Sequence, residues 1–496
     1  MSVHRQPIPS MTRRGFLRVI PPLAALGAIQ LLAACQSPGT SSPTNAPATP
    51  LSSKPASSSP VPAAASPAAA APLAPSPVAG ISSAAGHPMY QVNARHTGLS
   101  QYTGPRRAVL VRSFESSTYP TEEPGNARAD VQSAAAIGGD GTIYISNFQG
   151  NLFALRDPGS GNALQVAWRY HPARMTSLHA TPAVGQDGTV YLGFSGETQP
   201  GQVNGALHAV RAPASESEAR SVWNVDMGPG RITSSPVIGD DGTIHIVGAS
   251  GKLLAVTPSG QVKWSAQVGP TLKGSPAIGP DGTLYSPSSD GKLYAVTPPD
   301  GNGQEGAIRW TFDFGQFLGP TPLLVAEGGS GPGGGGGANG IGSGASPMIG
   351  SDGMIYIGAN NSNFYAIRPD GSSAWIYEAE RERAGIWTTA NLSPDNQTLF
   401  FGANKGGIYA LNRANGQLRW KFDIYGSVYS STAVDRNGTL YTASTVGHIF
   451  ALDSSNGQQI FDYDAGVSVW SAPAIRPDGS LVVADRNGRV MLFGAA

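Results

Sequence analysis

One phrase recurs eight times in this 496-residue chain, and its spacing leaves few folds open. The phrase is a small-residue strand, an Asp-Gly turn, a second strand, then a Gly leading into an apolar-aromatic-Ala-Leu strand. In its first copy it runs Ser133-Ala134-Ala135-Ala136-Ile137, Asp140-Gly141-Thr142-Ile143-Tyr144-Ile145 and Gly150-Asn151-Leu152-Phe153-Ala154-Leu155. The turn returns at Asp187-Gly188, Asp241-Gly242, Asp281-Gly282, Asp352-Gly353, Asp395-Asn396, Asn437-Gly438 and Asp478-Gly479. Asp-Gly and Asn-Gly between alternating apolar runs are hairpin signals, read here as turns in which both residues tolerate positive φ. Successive turns lie 47, 54, 40, 71, 43, 42 and 41 residues apart, an underlying period near 40 with two insertions. Four strands per unit at that period predict a β-propeller.

A fourth strand in six copies carries a tryptophan: Trp168, Trp223, Trp264, Trp310, Trp375 and Trp420. Six of the eight Trp at one repeat position read as packing between neighbouring blades. The complete phrase, Ser275 to Tyr285, Gly291 to Val296 and Trp310, resembles the repeat of the pyrroloquinoline quinone (PQQ)-like propellers. The resemblance extends over about residues 88 to 494. It implies an all-β, eight-bladed, quinoprotein dehydrogenase-like fold. That family holds quinone-dependent dehydrogenases and also cofactor-free members, such as the propeller lipoprotein of the outer-membrane β-barrel assembly machinery.

The eighth copy stops at Ala496 without a fourth strand, which would leave a pairing edge open. The apolar run Val109-Leu110-Val111-Arg112-Ser113-Phe114 upstream of the first copy suits that edge, so the N-terminal strand is expected to close the last blade. The stretch His87-Pro88-Met89-Tyr90 to His96-Thr97-Gly98, with Tyr102-Thr103-Gly104-Pro105, resembles the lead-in of bacterial members of the family.

The first residues carry an address. Thr12-Arg13-Arg14-Gly15-Phe16-Leu17 is a twin-arginine export signature, and the apolar run Leu23 to Ala34 that follows has only 12 residues, too short to span a bilayer. It ends in Leu32-Ala33-Ala34-Cys35, which resembles a lipobox whose Cys35, the single cysteine of the chain, is lipidated. Residues 1–34 are therefore expected to be a signal peptide, and the propeller to stand outside the cytoplasm, lipid-anchored to a bacterial membrane on its periplasmic or cell-surface side. Residues 35–86 are Pro, Ala, Ser and Thr with Lys54 as the only Lys, Arg, Asp or Glu, a tether that reaches ~150 Å at ~3.1 Å per residue. The folded domain is expected over 87–496, with a Gly-rich loop at 328–344 holding 11 glycines in 17 residues.

Charge selects no partner. Residues 1–34 hold Arg5, Arg13, Arg14 and Arg18 and no acid, which leaves 28 basic against 32 acidic residues beyond them and gives no electrostatic case for nucleic acid.

The innermost strands begin with small pairs: Ser133-Ala134, Ala180-Thr181, Ser234-Ser235, Gly274-Ser275, Ala345-Ser346, Thr388-Thr389, Ser430-Ser431 and Ser471-Ala472. Crowding of eight strands at an axis accounts for that uniformity. One position earlier it ends, with Gln132, His179, Thr233, Lys273, Gly344, Trp387, Tyr429 and Trp470. In register these form a candidate ligand ring at one mouth of the central channel, aromatic on one side and polar on the other, suited to a planar or sugar-like ligand or a peptide. Arg174, Arg231, Arg381, Glu382 and Arg383 lie in adjacent loops, either selecting anions or simply solvated. His208 and His245 occupy strand positions held elsewhere by Tyr, Phe or Leu and read as packing residues.

Two functions compete. A membrane-anchored binding or scaffold module for a protein, peptide or glycan explains the tether and anchor. A PQQ- and calcium-dependent dehydrogenase of alcohols or sugars is the alternative. It would require clustered oxygen ligands for calcium, and the ring holds no Asp or Glu. The vicinal cysteines of many such alcohol dehydrogenases and a Cys-x-x-Cys-His haem site are both absent from the sequence. No catalytic or metal-ligating residue is assigned.

Overall fold

The computed structural model of the chain describes residues 87–119, 129–173, 175–176, 179–199, 202–215, 217–271, 274–315, 344–379, 385–404 and 407–494. The expected signal peptide with Arg13 and Arg14, Cys35, the tether and residues 328–343 lie outside them, as do Arg174, Lys273, Arg381, Glu382 and Arg383.

Each copy of the phrase folds into a twisted antiparallel sheet, and eight such sheets are present among the described residues. Blade 1 is Ala136–Ile137, Ile143–Ser146, Leu152–Arg156 and Gln165–Tyr170 in that order. The two-residue strands opening the other seven are Ala183–Val184, Val237–Ile238, Ala277–Ile278, Met348–Ile349, Asn391–Leu392, Ala433–Val434 and Ala474–Ile475. These short strands approach their counterparts across blade boundaries, including that between the first and eighth blades, so they are the innermost ones and the ring is closed. The fold is an eight-bladed all-β propeller.

Closure follows the expected route. Leu110–Glu115 pairs antiparallel with Arg489–Phe493, with Ser113 opposite Met491 and Phe114 opposite Val490, and completes the eighth sheet. The long spacing before the third turn also has a cause: the middle strands of blade 2, Val190–Gln199 and Gln202–Arg211, are each 10 residues long.

The turn chemistry differs from the expectation in one respect. At the first turn Gly141 has φ +80° and donates to the Gly138 carbonyl, while Asp140 is not in the left-handed region. Only the Gly needs positive φ, as in hairpins built on a type I turn followed by a left-handed residue. The Asp serves through its side chain: Oδ1 accepts from Thr142 N at 3.0 Å and Oδ2 from Thr142 Oγ1 at 2.8 Å. Thr189, Thr243 and Thr283 repeat this bond pair with Asp187, Asp241 and Asp281.

The core is divided rather than central. Eight apolar clusters each span one blade boundary, for example Phe400, Ile408 and Ala410 of blade 6 against Val434, Leu440 and Phe450 of blade 7. Outer-strand tryptophans latch these boundaries. Trp223, Trp310, Trp375 and Trp420 each donate Nε1 to a carbonyl of the next blade, on Pro258, Pro369, Arg413 and Ser454, at 2.9–3.2 Å. Gly260 (φ +89°) lies flat on the Trp223 ring, where a Cβ would come within 2.7 Å. His208 and His245 are buried in this packing, His208 Nδ1 2.7 Å from Tyr170 Oη and His245 against Trp264.

Candidate functional site

The far end of the channel is sealed by the lead-in. Residues 87–98 travel around the ring, and one blade after another donates to them: Ile137 N to His87 O, Val184 N to Pro88 O, Ile278 N to Ala94 O, Ile349 N to Arg95 O, Leu392 N to Thr97 O and Val434 N to Gly98 O. These bonds satisfy main-chain donors at the ends of the innermost strands, which would otherwise be buried and unpaired. Gln91, Val92 and His96 hold positive φ (53°, 76° and 56°), which for a β-branched Val costs on the order of 1–3 kcal/mol. The surroundings hold the segment in place: Gln91 Oε1 accepts from Asn391 Nδ2 at 2.7 Å, and at Gly98 (φ +59°) any Cβ would fall 1.2 Å from that same Nδ2.

This path turns Tyr90 inward along the axis. Its hydroxyl lies 3.0 Å from both Thr389 Oγ1 and Ser431 Oγ, and its ring meets His96 edge-on at 5.4 Å. Burial pushes the phenol pKa up. The channel is therefore a blind recess floored by Tyr90.

At the open end the structure brings Gln132, His179, Thr233, Gly344, Trp387, Tyr429 and Trp470 around one cavity of about 90 Å³. Lys273 of the same register lies outside the described residues. Trp387 stacks on Tyr429 (5.1 Å, 20°), and Trp470 meets Tyr429 edge-on (4.8 Å, 82°), so the aromatic side is a corner rather than a flat wall. Trp387 Nε1 donates to Asn360 Oδ1 at 2.5 Å and Trp470 Nε1 to Ser468 Oγ at 2.9 Å, which hold both indoles. His179 (φ +59°) meets Phe148 edge-on at 5.3 Å.

Below the ring the small residues do more than relieve crowding. Ala134 N donates to Thr181 Oγ1, Thr181 N to Ser235 Oγ, Ser235 N to Ser275 Oγ, Ser275 N to Ser346 Oγ, Ser346 N to Thr389 Oγ1 and Thr389 N to Ser431 Oγ, at 2.8–3.3 Å. The hydroxyls form a circumferential relay from blade to blade. Crowding alone is thus an incomplete account, because a ring of alanines would leave those amides unpaired.

A charged pair also borders the mouth. Asp130, 1% exposed, accepts from Gln132 Nε2 at 2.8 Å and from both Nε and Nη2 of Arg486 at 3.0 Å. The Arg486 guanidinium lies over the Trp470 ring, 4.4 Å from its centroid. Sequence reasoning missed Asp130, Phe148, Asn360, Arg486 and Tyr90. A signal existed for Phe148 and Arg486, which follow the second strand of blades 1 and 8 at the same offset. There Phe148 N donates to Asp130 O and Arg486 N to Ser468 O, each acceptor two residues before a ring position.

These donors do not match a calcium-quinone pair. No group of three or more His, Cys, Asp or Glu among the described residues is placed to share a metal ion. The carboxylate beside the mouth, Asp130, is held by Arg486, whereas calcium takes 6–8 oxygen ligands.

A family profile described as outer membrane protein assembly factor BamB matches residues 204–313 and 249–432. Among solved structures the chain is similar to BamB from Moraxella catarrhalis, with 14% identity, a TM-score of 0.52, and coverage of 78% of this chain and 98% of that one. It is also similar to a europium-containing methanol dehydrogenase (12% identity, TM-score 0.58, 82% of this chain and 90% of that one). The quinohemoprotein alcohol dehydrogenase of Comamonas testosteroni is similar as well (14% identity, TM-score 0.60, 83% and 81%). At these identities the likeness is one of fold. No curated protein sequence matches the chain.

Proposed function

We infer that this chain, a PQQ-like β-propeller similar to the outer membrane protein assembly factor BamB, is a binding module of the cell envelope that engages its partner at the open mouth of the channel. The observation that carries this reading is the blind, aromatic-cornered recess. Trp387, Tyr429 and Trp470 converge there above the Tyr90 floor, and Asp130 beside them is paired with Arg486. Such a corner recognises an inserted group of a protein, peptide or glycan through ring faces and a few polar atoms. An extracytoplasmic location, export through Arg13-Arg14 and anchoring through a lipidated Cys35 are parts of the same proposal, supported by the motifs of the first 35 residues.

Photocrosslinking in cells tests it, with a benzophenone amino acid placed at position 429 or, as control, at the exposed outer-strand position 262. A discrete adduct from 429 that is absent from 262 and disappears with Trp470→Ala is the expected result. Equal labelling from both positions would overturn the assignment of the mouth.

A further inference from the structure

The hydroxyl relay below the mouth is broken in one sector. Six blades carry Thr181, Ser235, Ser275, Ser346, Thr389 or Ser431, and the two adjacent blades that close the ring carry methyls, Ala472 and Ala134. In the register of the relay, Ser431 N would meet a hydroxyl at 472 and Ala472 N one at 134. Neither amide has a hydrogen-bond partner among the described residues. Both residues line the recess, as do Gln132 and Trp470. Gln132 Nε2 is committed to the Asp130 carboxylate, which can only accept, so Oε1 is oriented the other way; it is buried with no partner among the described residues.

We propose that this gap docks an uncharged amide of a peptide segment, its carbonyl oxygen accepting from Ala472 N–H on the side of blade 1 and its own N–H donating to Gln132 Oε1 of that blade. The inference rests on the mouth being the binding site and names the group that enters it. A donor beside an acceptor matches an amide and disfavours a carboxylate, whose second oxygen would face Gln132 Oε1. Among the described residues, Arg486 adds no net attraction for an anion, because it is already paired with Asp130. At about 90 Å³ the recess has room for an amide group.

The test uses the full chain in mild detergent, labelled with 5-fluorotryptophan, with the Trp387 and Trp470 fluorine resonances followed during titration. The probes are N-acetylglycinamide, acetate and N-acetylglucosamine. N-acetylglycinamide is expected to shift both resonances at millimolar concentration while acetate does not. In Ala134→Ser/Ala472→Ser, which completes the relay and fills the gap, its binding should weaken about tenfold or more. The melting temperature should stay equal or rise. Wild-type binding by this variant, with loss of the Trp387 shift in Trp470→Ala, sinks the amide position and leaves the mouth standing. Binding unaffected by either change sinks both. A response to N-acetylglucosamine alone overturns the peptide assignment.

Discussion

Arg486 lies over the face of Trp470 at 4.4 Å and reaches past it to Asp130, two residues that are 356 positions apart in the chain and adjacent across the closure of the ring. The contact ties the aromatic corner of the mouth to the seam between the last and first blades.

Removing one member of that pair should therefore be costly at two levels. Arg486→Ala leaves the buried Asp130 carboxylate without its cation and is expected to lower stability by about 2–4 kcal/mol. Arg486→Lys keeps the charge but loses the planar stack and the two-atom grip, and should change Trp470 fluorescence at smaller cost. Arg486→Met combined with Asp130→Asn should recover much of the loss. Urea unfolding of the three variants checks this, and a double variant no better than Arg486→Ala would remove the pairing argument.

The tryptophan latches make a separate prediction. Trp420→Phe keeps a ring at the boundary between blades 6 and 7 but removes the bond to Ser454 O, at an expected cost of about 1 kcal/mol. Trp420→Ala adds a cavity and should cost about 3–5 kcal/mol. Denaturant midpoints would separate the two contributions, and a wild-type midpoint for Trp420→Phe would mean that the indole N–H contributes nothing.

Acid should weaken the fold through its buried histidines. Burial lowers the pKa of His87, His96, His208 and His245 from 6.5 to about 4. The unfolded chain takes up protons in that window and the folded chain does not. The stabilising contribution is thus complete above 6.5 and is lost as pH falls toward 4, by up to about 1.4 kcal/mol per pH unit for each histidine. Denaturation midpoints at pH 7 and pH 5 should differ accordingly. His245→Phe, which can keep the contact with Trp264, should flatten the slope, and an unchanged slope would show that His245 is not held neutral.

Anchoring has its own check. Cys35→Ser is expected to shift the chain from the membrane pellet to the soluble extracytoplasmic fraction without changing its melting temperature. Retention in the pellet would exclude Cys35 as the anchor.

Periodicity carried the blade count and the register of Gln132, His179, Thr233, Gly344, Trp387, Tyr429 and Trp470, and the open edge of the eighth copy called for a closing strand, expected over Val109 to Phe114 and found at Leu110–Glu115. A repeat fixes strand register, and register fixes which side chains face the axis. The Asp-Gly turns were legible as turns, but the job of the Asp was misread, because its bonds to the following Thr depend on side-chain geometry rather than on φ. The small pairs were legible as innermost positions. Their hydroxyl relay was not, because a donor in one blade and its acceptor in the next are some 40 to 70 residues apart and meet only once the ring is closed. Tyr90 as floor, and Asp130 with Arg486 beside the mouth, belong to the same class. Local pattern carries pairing within a blade, whereas contacts across the seam and through the axis exist only after closure brings distant loops to one point.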